Sequence, residues 1–520
     1  MIQKVELALN AAGRMVPAMV NGRPQIPYIG VGKYQPRGRK AASPLRTTAS
    51  YPENGDKRVA DLEAALRKCG LRDGMVISSH HHLRDGDAVA LMALQTATRM
   101  GLKDLMWFPS ASFPSQKDAI SLMESGAIHH IEGSMNGPLG DYCTQGKMRG
   151  MGVLRSHGGR WQAIQDGEVH IDVAVIAAPT ADAFGNADGS HGKSACGSLG
   201  FALADSVYAD HVIVVTDNLV PFPCIPSHIQ GNNVDYVVQV DSIGDPTKIV
   251  SGTTQITRSP DRLRIAHFVA QFLRDVGIMR NGFSFQAGAG GIALAFVEYL
   301  KEMMLEAGVR ARFVRGGSTK YLVELLENGL TDYILDGQTF DLDAVKSIAS
   351  DPRHVATSPF TSYNYHGKGN FASMVDAVVL GATEVDVNFN GNVVTHSDGR
   401  LLHGIGGWQN CLAAGCTILA VPSFRDRIPV IVDEVTTLTG PGELIDVVVT
   451  ERGIAINPRR QDLLDAVKGS KLPIRPIQDI KAEVEGICGG KPAKPKLGER
   501  PVAVVKWIDG TVLDTVWQVA

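Results

Sequence analysis

Two glycine-rich stretches carry the chemistry that this chain can perform. In Phe283-Ser284-Phe285-Gln286-Ala287-Gly288-Ala289-Gly290-Gly291-Ile292-Ala293 an apolar strand runs into a glycine loop and then into a helix. Without side chains in the way, backbone N–H groups of such a loop face an anion, and the helix N-terminus adds positive potential. Leu402-His403-Gly404-Ile405-Gly406-Gly407-Trp408-Gln409-Asn410 has the same logic. Taken alone, each loop also reads as a tight turn that seats a helix on a sheet. Both fall at strand ends in the same half of the chain, which points to one shared anion- or carbonyl-binding site. The dinucleotide fingerprint is not matched, because the glycine spacing differs and no acid follows about twenty residues on.

Other residue types invite a chemical reading. His80-His81-His82 looks like a metal tract. Neighbouring strand residues point to opposite faces, and no Cys or second His pair stands at ligand spacing, so no metal is expected. His396 and His403 border the second glycine loop, as substrate-binding candidates or as hydrogen-bonded structural histidines. No G-x-S-x-G nucleophile elbow occurs. Glu324, on a helical stretch Lys320–Gly329, is the candidate attacking carboxylate, or else a charge facing water. A polycarboxylate substrate needs two or three oriented cations, for which Arg84, Lys193, Arg315 and Arg400 are the candidates.

The elements that must position these groups follow from hydrophobic pattern. Short Val/Ile runs such as Met75–Ser78, Val173–Ala177, Phe283–Gln286 and Val378–Leu380 alternate with helical stretches such as Ala88–Met100 and Ile292–Ala307. Continuous apolar strands alternating with helices predict parallel α/β sheets buried on both faces. Ligands then bind beyond the carboxyl ends of the strands. The two halves also repeat. Asp172-Val173-Ala174-Val175-Ile176 runs to Asp182 and Gly185-Asn186, and Asp376-Ala377-Val378-Val379-Leu380 runs to Asp386 and Gly391-Asn392. A period of roughly two hundred residues means a domain duplication, not a solenoid. The expected organisation is an irregular Pro-rich extension over 1–60, a first α/β domain over 61–265, a second over 266–488, and a linker with a C-terminal hairpin over 489–520, turning at Asp509-Gly510. The first helix is expected to begin near Lys57.

Composition narrows the function classes. The 520 residues carry a net charge of −3, which gives no support to a nucleic-acid or polybasic membrane partner. Seven scattered cysteines without a C-x-x-C pair fit the thiols of a reducing cytoplasm. The opening MIQKVELALN has no signal-peptide h-region, and no run of about 18 uncharged apolar residues spans a membrane.

With these motifs in view, the chain resembles the coenzyme A-transferase family over roughly residues 60–470. Asp182-Ala183-Phe184-Gly185-Asn186 resembles that family's D-x-x-G-N turn, Gln286-Ala287-Gly288-Ala289-Gly290 its Q-x-G-x-G thioester loop, and Gly404-Ile405-Gly406-Gly407 its G-x-G-G cofactor loop. Ile445-Asp446-Val447-Val448-Val449-Thr450-Glu451 resembles its D-V-V-V-T-E track. Within the family, the Pro-rich opening and Lys320–Leu330 are most similar to the branch of citrate lyase α subunits.

The resemblance implies two tandem parallel-sheet domains of this type and a transferase that exchanges acetate for citrate on a carrier thioester. It implies Gly288, Gly290, Gly291 and Glu324 as catalytic candidates. Gln286, Ala287, Ala289, Asn390, Gly404, Gly406 and Gly407 would line the cofactor loop. It further implies a phosphoribosyl-dephospho-CoA or CoA thioester as cosubstrate with no permanently bound cofactor, and an oligomeric complex with an acyl-carrier γ subunit and a citryl-thioester lyase β subunit. Many family members attack the thioester with a glutamate, whereas this branch is thought to transfer directly. A transferase or thioester hydrolase acting on citramalate is the alternative enzyme. A small-molecule sensor on the same scaffold is the alternative of another class, but no helix-turn-helix or basic face accompanies it.

Overall fold

The computed structural model describes residues 5–36, 52–250, 255–365 and 368–519. Two large sheets share one topology. The first has seven parallel strands in the spatial order Arg58–Val59, Tyr236–Gln239, His211–Thr216, Val173–Ala178, Val76–Ser79, Leu105–Pro109 and Ile128–Ile131. The second has eight, in the order His354–Ala356, Ile334–Thr339, Phe313–Ser318, Ser284–Ala287, Ala377–Leu380, Thr417–Ala420, Val447–Thr450 and Gly453–Ile456; the last strand alone runs antiparallel. Apart from the edge strand Arg58–Val59, each sheet starts at a central strand (Val76–Ser79 or Ser284–Ala287), builds outward, and then returns on its other side (Val173–Ala178 or Ala377–Leu380). The strand order therefore reverses between those two strands, the position at which open α/β sheets bind their ligands.

The strands are apolar on both faces, as the continuous runs predict. In the second sheet Val378, Leu419 and Val448 join the larger core, which extends from the first half of the chain. Their neighbours Ala377, Val379, Ile418, Ala420, Val447 and Val449 face a separate core with helices Pro260–Asp275 and Gly291–Ala307. The alternation is the period-2 geometry of a strand.

Each large sheet carries a small three-stranded one: Thr180–Asp182, Ala187–Asp188 and Leu219–Val220, and Glu384–Asp386, Gly391–Asn392 and Ile431–Val432. Their registers correct the alignment of the repeat. Ala181 pairs with Ala187 and Val385 pairs with Gly391, so Asn186 corresponds to Asn390, not to Asn392. Both asparagines clamp a turn: Asn186 Nδ2 donates to Asp182 at 2.8 Å, and Asn390 Nδ2 donates to Asp386 at 3.0 Å.

At the ends, the predicted irregular extension contains two short hairpins, Leu7–Leu9 with Met15–Pro17 and Met19–Val20 with Arg23–Pro24. Residues 25–36 carry no strand, and 37–51 lie outside the described residues. Residues 5–36 lie on the predicted C-terminal hairpin, Leu497–Lys506 with Val512–Val519, through bonds such as Tyr28 N–H to Val512 O at 3.0 Å. The first helix starts at Leu62, later than expected, because Asp61 caps it by accepting from the Ala64 N–H at 2.7 Å, while Arg58–Val59 joins the sheet edge. No helix among the described residues is long and apolar enough to cross a membrane.

Candidate active site between the two sheets

The carboxyl ends of the two sheets face each other. After Val76–Ser79 the three histidines divide as strand geometry demands. His80 Nε2 lies 3.0 Å from Asp205, and His82 Nε2 lies 2.7 Å from the carbonyl of Ala177, both on the inner side. His81 turns the other way. Its Nδ1 is 2.6 Å from Ser110 Oγ, and its Nε2 is 3.2 Å from Gln338 Oε1 on strand Ile334–Thr339 of the opposite sheet. Gln338 Nε2 in turn donates to the carbonyl of His81 at 3.3 Å. His81 stacks on His157 with centroids 5.3 Å apart, and Phe201 covers both rings.

From the other side, the glycine loops meet. Gln286 Nε2 donates to Cys411 Sγ at 2.8 Å, and Cys411 closes the short helix Trp408–Cys411 that Gly407 caps. Tyr363 lies between them. A methyl on Gly407 would stand 2.9 Å from its hydroxyl oxygen, and Arg315 lies 5.0 Å from the centre of its ring. The second loop also touches the first half of the chain: His157 N–H donates to Gly406 O at 2.8 Å and Gly404 N–H to Ser134 Oγ at 2.9 Å.

Not every loop amide is free. Gly288 N–H is taken by Val379 O at 3.3 Å, and Gly404 N–H by Ser134. The N–H groups of Gly290, Gly291, Gly406 and Gly407 have no acceptor among the described residues. Gly290 caps the helix Gly291–Ala307, and a methyl added to it would meet nothing within 4 Å. Unpaired amides at the open start of a long helix form an anion cradle.

Two buried arginines complete the site. Arg315 is 1% exposed, aligned beside Gln286 in the sheet, and its Nε and Nη1 have no partner. Arg84 is buried in the left-handed region at φ +53°, with its guanidinium 4.3 Å from the ring centre of Phe340. Neither forms an ion pair among the described residues. The Phe340 ring rests on the backbone of Gly317, where an added methyl would collide with it. The ring thus supports Arg84 on one side and requires glycine on the other. Burial pulls Arg84 down to about 10. It also holds His81 well below its ordinary range and His157 at about 3, so both rings are neutral. Burial raises the Tyr363 hydroxyl to about 12 and the Cys411 thiol to about 11, so both stay neutral.

The description "Citrate lyase, alpha subunit (CitF)" belongs to the family model that matches residues 55–519. The chain belongs to the citrate lyase α-subunit family. It is 40% identical to the citrate lyase alpha chain of Klebsiella pneumoniae over 497 residues, covering 95% of this chain and 96% of that one. It is 39% identical to the Haemophilus influenzae alpha chain, covering 92% and 96%. Among solved structures, the putative alpha subunit of citrate lyase from Streptococcus mutans, in complex with citrate, superposes with a TM-score of 0.93 at 38% identity, covering 98% of this chain and 100% of that one. A Pseudomonas malonate decarboxylase hetero-tetramer shares the fold alone, with a TM-score of 0.60 at 19% identity over 85% of this chain and 94% of that one.

Within this citrate lyase α-family fold, the crevice brings together Gln286, the two glycine loops, Arg84 and Arg315. Other candidates lie elsewhere. Glu324 pairs with Lys301 at 2.6 Å on the outer helices, with its side chain 39% exposed. Lys301 follows Gly291 by ten residues of helix, about 15 Å of rise. Asn390 is committed to its turn, with Oδ1 accepting from Gly442 N–H at 2.8 Å. Lys193 is exposed and donates to the Asp241 carbonyl at 2.7 Å. Arg400 lies on an exposed turn beside Asp398, and His403 Nδ1 sits 2.6 Å from Gly404 O near His396. His81, His157, Gln338 and Tyr363 were not among the expected residues. The triple-histidine run at a strand's carboxyl end is the one sequence signal that could have found His81.

Proposed function

We propose that this chain is the transferase subunit of an ATP-independent citrate lyase, exchanging acetate for citrate on an acyl-carrier thioester to give citryl thioester and free acetate. Arg315 carries this reading. A buried guanidinium with two unpartnered nitrogens and no carboxylate beside it among the described residues costs several kcal/mol, and a polyanionic substrate offsets that cost on binding. Citrate brings three carboxylates, and Arg84 offers a second cation across the same crevice. The citrate in the Streptococcus mutans relative supports the assignment.

A citrate carboxylate oxygen attacks the acetyl carbonyl carbon, forming a C–O bond, and charge moves onto the carbonyl oxygen. The free amides of Gly290 and Gly291, with those of Gly406 and Gly407 opposite, stabilise it; one such donor contributes about 3–4 kcal/mol. The C–S bond breaks, leaving a thiolate and a mixed citric–acetic anhydride. The thiolate then attacks the citryl carbonyl, the C–S bond re-forms and acetate leaves. No proton is gained or lost overall, which suits a site whose histidines, tyrosine and cysteine stay neutral. Confining both reactants contributes about 7–11 kcal/mol. The Lys301 pairing of Glu324 supports the direct route over a glutamyl thioester.

The donor is an acyl-carrier γ subunit bearing a phosphoribosyl-dephospho-CoA arm, for which CoA thioesters substitute. A β subunit cleaves the citryl thioester to oxaloacetate and acetyl thioester. The test is acetyl-CoA exchange with citrate against citramalate: citryl-CoA and acetate should form, and turnover with citramalate alone overturns the reading. Trapping with hydroxylamine or borohydride in the absence of citrate should leave every glutamate unmodified.

A further inference from the structure

A second feature of the surface lies next to the crevice. Arg400, Arg427, Lys491, Lys494 and Lys496 line a cavity of about 530 Å³, with Asp398 as the acid among its lining. The chain as a whole is slightly acidic, with a net charge of −3, so this clustering of cations is local. Lys491 is held by Asp433 at 2.6 Å, and Arg400 lies 3.7 Å from Asp398. Arg427, Lys494 and Lys496 are exposed and make no ion pair among the described residues. Apolar surface accompanies the charge: Ile428 is 45% exposed and Leu497 is 37% exposed.

The patch is tied to the active site by two short connections. Arg400 stands four residues before Gly404, so their Cα atoms are at most about 14 Å apart. Arg425, on the hairpin that carries Arg427 and Ile428, donates to the carbonyls of Ala382 and Thr383 at 2.8 and 2.9 Å, just past the carboxyl end of strand Ala377–Leu380.

We infer that this basic cavity docks an acidic protein that delivers the acyl thioester, so that its arm passes the His396–His403 segment to Gly404–Gly407. The inference rests on the carrier-thioester reading above. The cations are exposed and spread around a rim with apolar residues among them, as at a protein interface that steers an oppositely charged partner. A phosphate pocket for the nucleotide alone would instead enclose its anion among buried donors.

The test is the charge-reversed triple variant Arg427→Glu, Lys494→Glu, Lys496→Glu of the full chain, assayed for citrate exchange with the acetylated γ carrier and, separately, with acetyl-CoA. At low salt, kcat/KM for the carrier should fall at least about tenfold through KM, and the gap to wild type should narrow as salt is added. Exchange from acetyl-CoA should stay within about twofold, since free CoA thioester needs no protein docking. Unchanged carrier kinetics overturns the proposal. So does an equal fall with both donors, which would make the patch a nucleotide-phosphate site. Titration with the non-acetylated carrier reads docking without turnover. If the wild type binds and the variant does not, docking stands even where acetyl-CoA exchange with citrate fails; if the wild type does not bind, docking falls.

Discussion

Gln286 Nε2 lies 2.8 Å from Cys411 Sγ, and this one contact ties the first glycine loop to the helix that opens at the second. The two residues are 125 positions apart in the chain. Cys411 remains a thiol, because burial raises it to about 11 against the opposing pull of Arg315. It therefore serves to hold Gln286 and not as a nucleophile. Cys411→Ser should keep a hydrogen bond and most of the exchange activity. Cys411→Ala, which removes the sulfur that accepts from Gln286, should lose about 1 kcal/mol of stability. Thermal melts and acetyl-CoA exchange rates check both, and alkylation-sensitive catalysis at Cys411 would refute the assignment.

Arg315 should show an unusual thermal signature. Its guanidinium is 1% exposed and has two unpartnered nitrogens. Arg315→Met removes a buried charge that no carboxylate among the described residues neutralises, so the free variant should melt no lower than wild type. Citrate stabilises the wild type by mass action, and that shift should vanish in the variant, with citrate KM raised about a hundredfold or more. A variant that melts well below wild type yet keeps its citrate shift would show that Arg315 is structural.

The loop glycines should separate by what surrounds them. Gly290 has φ −77° and open space where a Cβ would go, so Gly290→Ala should fold normally and lose exchange rate only if a bound thioester packs there. Gly317→Ala instead drives a methyl into the Phe340 ring, which supports Arg84. Overpacking of this kind costs about 1–3 kcal/mol, and citrate KM should rise along with the loss of stability. Melting curves and kinetics on the two variants distinguish binding space from support.

The backbone logic of this site was legible in the sequence; its side-chain partners were not. Glycine loops after apolar strands announce themselves locally, and the topological reversal that gathers them follows from strand–helix alternation. The division of His80, His81 and His82 between two faces follows from period-2 geometry alone. By contrast His81 meets Gln338 across 257 residues, and His157 meets Gly406 across a similar span, so no local pattern predicts either pair. Asn390 misled for the opposite reason: its neighbourhood resembles a binding loop, but its amide is consumed by Asp386 and Gly442 within the turn. Arg400 and Glu324 likewise had suitable chemistry in unsuitable places, because exposure on an outer turn or helix is not visible in residue type.

Acid should destabilise the fold through its buried histidines, above the pH at which ordinary carboxylates protonate. Burial is the first cause holding His82, His130 and His157 at about 3, and it holds His81 well below its ordinary range. The unfolded chain binds protons at these histidines below about pH 6.5, whereas the native state does not until far lower. Their stabilisation is complete above pH 6.5 and is lost as pH falls, at about 1.4 kcal/mol per pH unit for each histidine. Asp87 and Asp514 act in the opposite direction, since burial raises both to about 6 and the native state keeps their protons between about pH 4 and 6. Burial also lowers His129, His228 and His403 and raises Asp341, Asp386, Asp446 and Asp509. The histidines act from about pH 6.5 downward, above the ordinary carboxylate range, so melting temperature should drop from pH 7 to pH 5. His82→Asn, which removes one such group away from the crevice, should flatten the slope. A melting temperature that is level or rising on acidification across that window would mean that the native protein takes up protons there as readily as the unfolded chain, and that these rings are not the buried neutral groups described.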